Sequence, residues 1–250
     1  MSSHFSCIGF PVQNIDAYWA LARRAAAEGT RMPAPDGSAL ARWAVGSGPE
    51  IWVQIDRSGE VIGATPFFSA GTPYRVAVTG TGEDPEEPMD GWIDGWLEPT
   101  EEDEPFSGVF PLRMSLVDYA VHRSRLIVFP ATLRMEIAAL VHEADLYPHD
   151  AAYTTSPGDS YRLPVQSFVS AAHFGADDPE SFQESTALMS GYVADAHLMT
   201  NPITDASYWR IGIATQGVTL QACADRDVLR GEPRAGQILA GSFWLLGRLI

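Results

Sequence analysis

What most constrains this chain is the order of elements over residues 1–80, where one amphipathic helix stands among short apolar runs. Residues 4–12 read as a strand ended by Pro11 and Gln13. Asn14 is an N-cap candidate, and Asp16 lies in the first turn, where the helix dipole favours a carboxylate. Ile15, Tyr18, Trp19, Ala22, Ala25 and Ala26 then repeat at helical spacing, and Gly29 stands where a C′ glycine belongs. Residues 40–45, 51–56 and 61–68 follow as strands divided by glycine-containing turns, with 74–79 as a further strand. The expected fold class is α+β, opening with a βαβββ module over 1–80.

The strand period assigns faces within that module. If 40–45 and 51–56 pair over Gly46-Ser47-Gly48-Pro49, Trp43 shares a face with Ile51, Val53 and Ile55, and the helix covers it. Arg42, Trp52 and Gln54 then share the opposite, open face, which His4 and Ser6 reach from the first run. An arginine beside an aromatic ring and an amide suits a small anionic or polar ligand. These five are the candidate ligand-binding residues. The competing reading is an amphipathic face packed on the next part of the chain.

Charge divides the chain again. Residues 83–104 hold eleven carboxylates and no basic residue, in a protein of net charge -16. The stretch reads as a solvated acidic connector over 81–105. Trp92 and Trp96, with Ile93 and Leu97, sit at i,i+4 spacing and suggest a short docked helix within it. No D-x-D-x-D-G calcium loop is present. All sixteen basic residues are arginine, which removes lysine Schiff-base chemistry and a lysine phosphate loop. An acidic surface repels nucleic acid and anionic membranes, so the expected partners are a basic protein or a small polar ligand. Cys7 and Cys223 are too few for a disulfide framework and read as buried free thiols, with a redox pair as the alternative. With no signal-peptide pattern and no apolar run long enough to cross a bilayer, the expected compartment is the cytoplasm.

Residues 106–182 read as a β-rich middle region, in which 131–147 suits a strand or a helix stopped by Pro148; the lack of a clean helical stripe favours strand. Residues 183–250 read as a small β-barrel. Gly191 marks a bulge, Gln216-Gly217 a hairpin turn, and the run around Phe243-Trp244-Leu245-Leu246 is apolar on both faces and belongs inside a sheet.

The order of the first elements resembles one βαβββ module of the vicinal oxygen chelate (glyoxalase-like) group. The strings His4-Phe5-Ser6-Cys7-Ile8-Gly9-Phe10-Pro11-Val12 and Gly241-Ser242-Phe243-Trp244-Leu245-Leu246-Gly247-Arg248-Leu249 resemble the ends of an uncharacterised family of soluble bacterial proteins. The last unit is similar to a small OB-like barrel, with four clear strands where five are expected. The first resemblance implies a divalent metal held by His and Glu on a cupped sheet, with His4 at a ligand's place; no carboxylate partner stands in 74–79. His142-Glu143 lacks the second histidine of an H-E-x-x-H site, since Leu146 stands there. No nucleophile elbow, phosphate loop or dinucleotide fingerprint occurs, so no catalytic residue, metal ligand or cofactor is assigned. The expected function is a non-enzymatic binding or protein-interaction protein with an acidic surface. The alternative is a metal-dependent lyase or dioxygenase-type enzyme of the vicinal oxygen chelate group.

Overall fold

Asn14 starts the main helix as a cap should: its side chain accepts the Ala17 N–H at 2.8 Å, and α1 runs over Ile15–Glu28. The computed structural model containing this helix describes residues 4–101, 104–126, 129–155, 163–173 and 185–250. Met1 to Ser3, Glu102 and Asp103 of the acidic stretch, Ile127 and Val128, and the boundary expected at 182/183 lie outside the described residues.

Four antiparallel strands follow α1: β1 (Thr30–Pro33), β2 (Ala39–Ala44), β3 (Pro49–Ile55) and β4 (Val61–Phe68), in the order β1-β2-β3-β4. Trp43 pairs with Ile51, Arg42 with Trp52 and Leu40 with Gln54, so the expected division of faces holds. α1 covers the face of Trp43, Ile51 and Val53, and the Arg24 guanidinium lies 5.1 Å from the Trp43 ring centre. The stripe is shorter than its periodicity suggests. Ala22 and Ala25 are buried, whereas Ile15 is 64% exposed.

Two expectations for this region are corrected. The first element is not a strand but a 3-10 helix over His4–Ile8, so the order is not βαβββ. Phe5, Cys7, Ile8 and Phe10 are all buried, and a strand with one covered face would bury only alternate residues. The run after Gly71 belongs elsewhere: β5 (Pro73–Glu83) pairs with strands of a second, larger sheet.

That second sheet contains β5, β6 (Gly91–Leu97), β7 (Pro111–Leu116), β8 (Ala131–Tyr147), β9 (Ser167–Ser170), β10 (Thr186–Thr200), β11 (Ser207–Thr215), β12 (Val218–Asp225) and β13 (Ile238–Leu249). Two short helices, α2 (Tyr119–His122) and α3 (Asp150–Thr155), flank β8 in sequence. The long antiparallel pair β8–β13 is its spine. Pairings β8-β5-β6-β7-β13 return to β8 on one side, and β8-β12-β11-β10-β13 return on the other. Two five-membered rings of strands thus share the spine. The strands after residue 185 do not close by themselves, since their fifth member is β8.

Both faces of the spine are buried. Met135, Ile137, Ala139 and Val141 join one core with Phe243 and Leu245, whereas Ala138, Leu140 and Leu246 join the core shared with the four-stranded sheet. This is why residues 137–141 run continuously apolar where 132–137 alternate polar with apolar, although all of 131–147 is one strand. The acidic 81–105 stretch is likewise not a connector. It contains β6, whose Gly91, Ile93, Gly95 and Leu97 are buried while Trp92, Asp94 and Trp96 lie half-buried.

Gly241 shows how tightly the spine closes. A Cβ there would lie 2.1 Å from the Glu143 carbonyl oxygen and 2.7 Å from the Ala144 Cα. Gly241→Ala is therefore expected to cost about 3 kcal/mol by forcing the ladder apart. Urea unfolding checks this; a loss under about 1 kcal/mol would show that the ladder relaxes freely.

Candidate functional site

The polar face of the four-stranded sheet is not open. It packs on the β8–β13 spine, and ion pairs join the two layers. Glu50 on β3 is only 1% exposed and accepts from Arg42, from the Trp52 indole N–H at 2.9 Å and from Arg248 at 3.4 Å. Arg248 on β13 also reaches Glu136 on β8 at 2.8 Å, and Glu136 accepts the Ser69 hydroxyl at 2.7 Å. Buried carboxylates need such partners, because an unpaired charge in this layer would cost several kcal/mol.

Beside that network the two layers part around a cavity of about 460 Å³, a volume suited to a small organic molecule. The four-stranded sheet contributes Trp52, Gln54 and Thr65. The segment joining β5 to β6 contributes Asp84, Glu87 and Asp90, followed by Trp92 on β6. From the spine come His142 and Trp244, and His4 enters from the N-terminal 3-10 helix. The His4 ring centre lies 5.0 Å from Trp244 and 5.5 Å from His142. Ser115 and Ser185, hydrogen-bonded to each other at 2.9 Å, add hydroxyls.

The electrostatics of this wall are unusual. Asp90 accepts a hydrogen bond from Gln54. Burial, with the adjoining Glu87 carboxylate hydrogen-bonded to it, pushes Asp90 up to about 7, and Asp84 acts in the same direction. A carboxyl group therefore carries a proton near neutrality in a cavity lined by three indoles. Among the described residues that line it there is no arginine.

The structure distributes the five candidate residues. His4, Trp52 and Gln54 meet in the cavity. Arg42 stands behind it, bound to Glu50 with its guanidinium 6.0 Å from the Trp52 ring centre, so its charge is already satisfied. Ser6 lies apart, on a shallower depression with Gly9, Pro11 and Asp225. Sequence reasoning missed Asp84, Glu87, Asp90, Trp92, His142 and Trp244. The interleaving of acids with Trp92 was the available signal.

The vicinal oxygen chelate resemblance implies a metal held by His and Glu. Among the described residues no three His, Cys, Asp or Glu side chains are placed to hold an ion, and the residues present do not fit that group. Cys7 and Cys223 are both free and buried. Burial pushes the Cys7 thiol up to about 12 and raises Cys223, so neither supplies a thiolate near neutrality. No helix among the described residues is long and apolar enough to cross a membrane. No protein-family model, curated protein or solved structure matches this chain.

Proposed function

We propose that this is a binding protein that takes a small polar ligand in the cavity between the four-stranded sheet and the spine. The observation that carries the reading is the cavity wall itself. Three indoles supply broad apolar faces, and a few carboxylates, histidines and hydroxyls converge among them, the usual composition of a small-molecule site. The walls come from separate parts of the chain, brought together by the β3–β8–β13 ion pairs. Three of the carboxylates that suggested a basic protein partner face this cavity, which moves the reading toward a small ligand.

Blocking the cavity tests this. Thr65→Trp places an indole into the space from β4 and is expected to abolish saturable quenching of tryptophan emission by fragments that bind the parent protein. Gln54→Leu, which keeps the volume but removes the support of Asp90, is expected to weaken the same fragments about tenfold. A blocked variant that binds all fragments unchanged would place their site elsewhere and defeat the proposal.

A further inference from the structure

We infer that the ligand of this cavity is an organic cation, a protonated amine or a quaternary ammonium group attached to an apolar body. The inference rests on the cavity reading above and names its ligand class.

Sign comes first. Asp84, Glu87 and Asp90 line one wall, and no guanidinium among the described residues lines the space to answer them. The arginines that lie over the Trp52 and Trp92 rings are already bound. Arg42 is held by Glu50, and Arg113, 5.2 Å from the Trp92 ring centre, is gripped by both oxygens of Asp94 at 2.8 Å. Their carboxylates neutralise them, so they offer little attraction to an anion. What remains facing the void, beside the imidazoles of His4 and His142, is carboxylate.

Crowding of the carboxylates points the same way. Asp84, Glu87 and Asp90 stand on one short segment, closed by the Asp90 N–H donated to the Glu87 carbonyl at 2.7 Å, so their carboxyl groups crowd one wall. A bound cation relieves the repulsion between carboxylates held so close. A neutral polar ligand would leave the repulsion standing, and an anion would increase it.

Shape supplies the rest. The indoles of Trp52, Trp92 and Trp244 present apolar and π surface around the acidic wall. Aromatic faces beside carboxylates attract alkylammonium groups through the ring quadrupole while packing their methyl or methylene surface. A bare inorganic cation would use the carboxylates but leave the indole walls without a partner.

The experiment uses the full chain, tryptophan fluorescence and calorimetry, and pairs of probes matched in shape. Choline is compared with 3,3-dimethylbutan-1-ol, and phenethylammonium with 2-phenylethanol and phenylacetate. At least one cation is expected to bind tenfold or more tightly than its neutral partner. Asp90→Asn combined with Glu87→Gln is expected to erase that preference, weakening the cation at least tenfold more than it weakens the neutral probe. Glu87 is exposed and Asp90 half-buried, and circular dichroism checks that the variant folds; Asp84→Asn provides a second, milder variant. Neutral or anionic probes binding as well as the cations would overturn the inference while leaving the cavity a ligand site. Calcium chloride producing the same saturation and displacing the organic probes would also overturn it, in favour of an inorganic ion. No response to any probe, in parent and Thr65→Trp alike, would remove the cavity reading together with the inference.

Discussion

Arg248→Met is expected to destabilise the protein by about 3–5 kcal/mol, the range for removing one partner of a buried ion pair. Arg248 touches Glu136 at 2.8 Å and Glu50 at 3.4 Å, and both carboxylates are almost fully buried. Without the guanidinium, Glu50 keeps Arg42 and the Trp52 N–H, whereas among the described residues Glu136 keeps the Ser69 hydroxyl as its one hydrogen bond. The loss should therefore come mainly from Glu136. Arg248→Met combined with Glu136→Met, which leaves methionine packed where both charges lay, is expected to regain at least half of it. The exposed pair Arg234–Glu232 serves as the contrast, and Arg234→Ala should change stability by no more than about 0.5 kcal/mol. Urea unfolding of the three variants decides the matter. A cost below about 1 kcal/mol for Arg248→Met, or a double variant worse than the single, would show that the network does not dock the two layers.

How far the sequence could be read depended on whether the two faces of a segment differ in polarity. Both faces of β3 are covered, yet Glu50, Trp52 and Gln54 alternate with Ile51, Val53 and Ile55, so the β2–β3 partners, their faces and the helix above them followed from the strand period. β11 and β12 were legible for a similar reason, with Gln216 and Gly217 both at positive φ in the turn between them. The spine was legible as a strand over 131–147 and as a strand inside a sheet around Phe243, but not in its pairing, because residues 137–141 are continuously apolar and single out no face. β6 misled for a different reason: a spacing of four is a multiple of the strand period as well as near one helical turn. Trp92 and Trp96 therefore share a face in either structure. Gly91 and Gly95, poor helix residues, were the distinguishing signal. Gly29 stands at the helix end, as expected, but with φ of -80°. It is small because a Cβ would meet the Ala25 carbonyl oxygen at 2.6 Å and the Arg42 backbone at 2.9 Å, the second a long-range contact that no local pattern encodes. Half of the candidate site was visible for the reason β2 and β3 were. The acidic half was hidden because the charge of residues 83–104 suggested solvent, whereas Asp84 and Asp90 are folded against Gln54 and the indoles.

The second large effect is a pH dependence lodged at Asp118. This residue precedes α2 and is 2% exposed. Its Oδ2 accepts the Leu249 N–H at 2.9 Å and lies 3.5 Å from His122 Nε2, while its Oδ1 has no hydrogen-bond partner among the described residues. Burial raises its carboxyl from 3.8 to about 7, against the opposing pull of the Leu249 N–H and of Arg248. The folded protein therefore holds a proton at Asp118 between about pH 4 and pH 7 that the unfolded chain has released. Where the folded state binds more protons, stability falls as pH rises, so this group's contribution declines from about pH 4 to 7 and is level above. A shift of about three pH units corresponds to an upper bound of about 4 kcal/mol. The amide introduced by Asp118→Asn cannot ionise, yet its oxygen can still accept the Leu249 N–H. The variant is expected to match the parent near pH 4 and to exceed it by roughly 2–4 kcal/mol at pH 8, while keeping the slopes of the other shifted groups, Asp90 and His122 among them. Urea midpoints at half-unit steps from about pH 4 to 8 measure the difference directly. Parallel profiles for the two proteins would mean that Asp118 is ionised in the fold, with its charge carried by Arg248 and His122 instead.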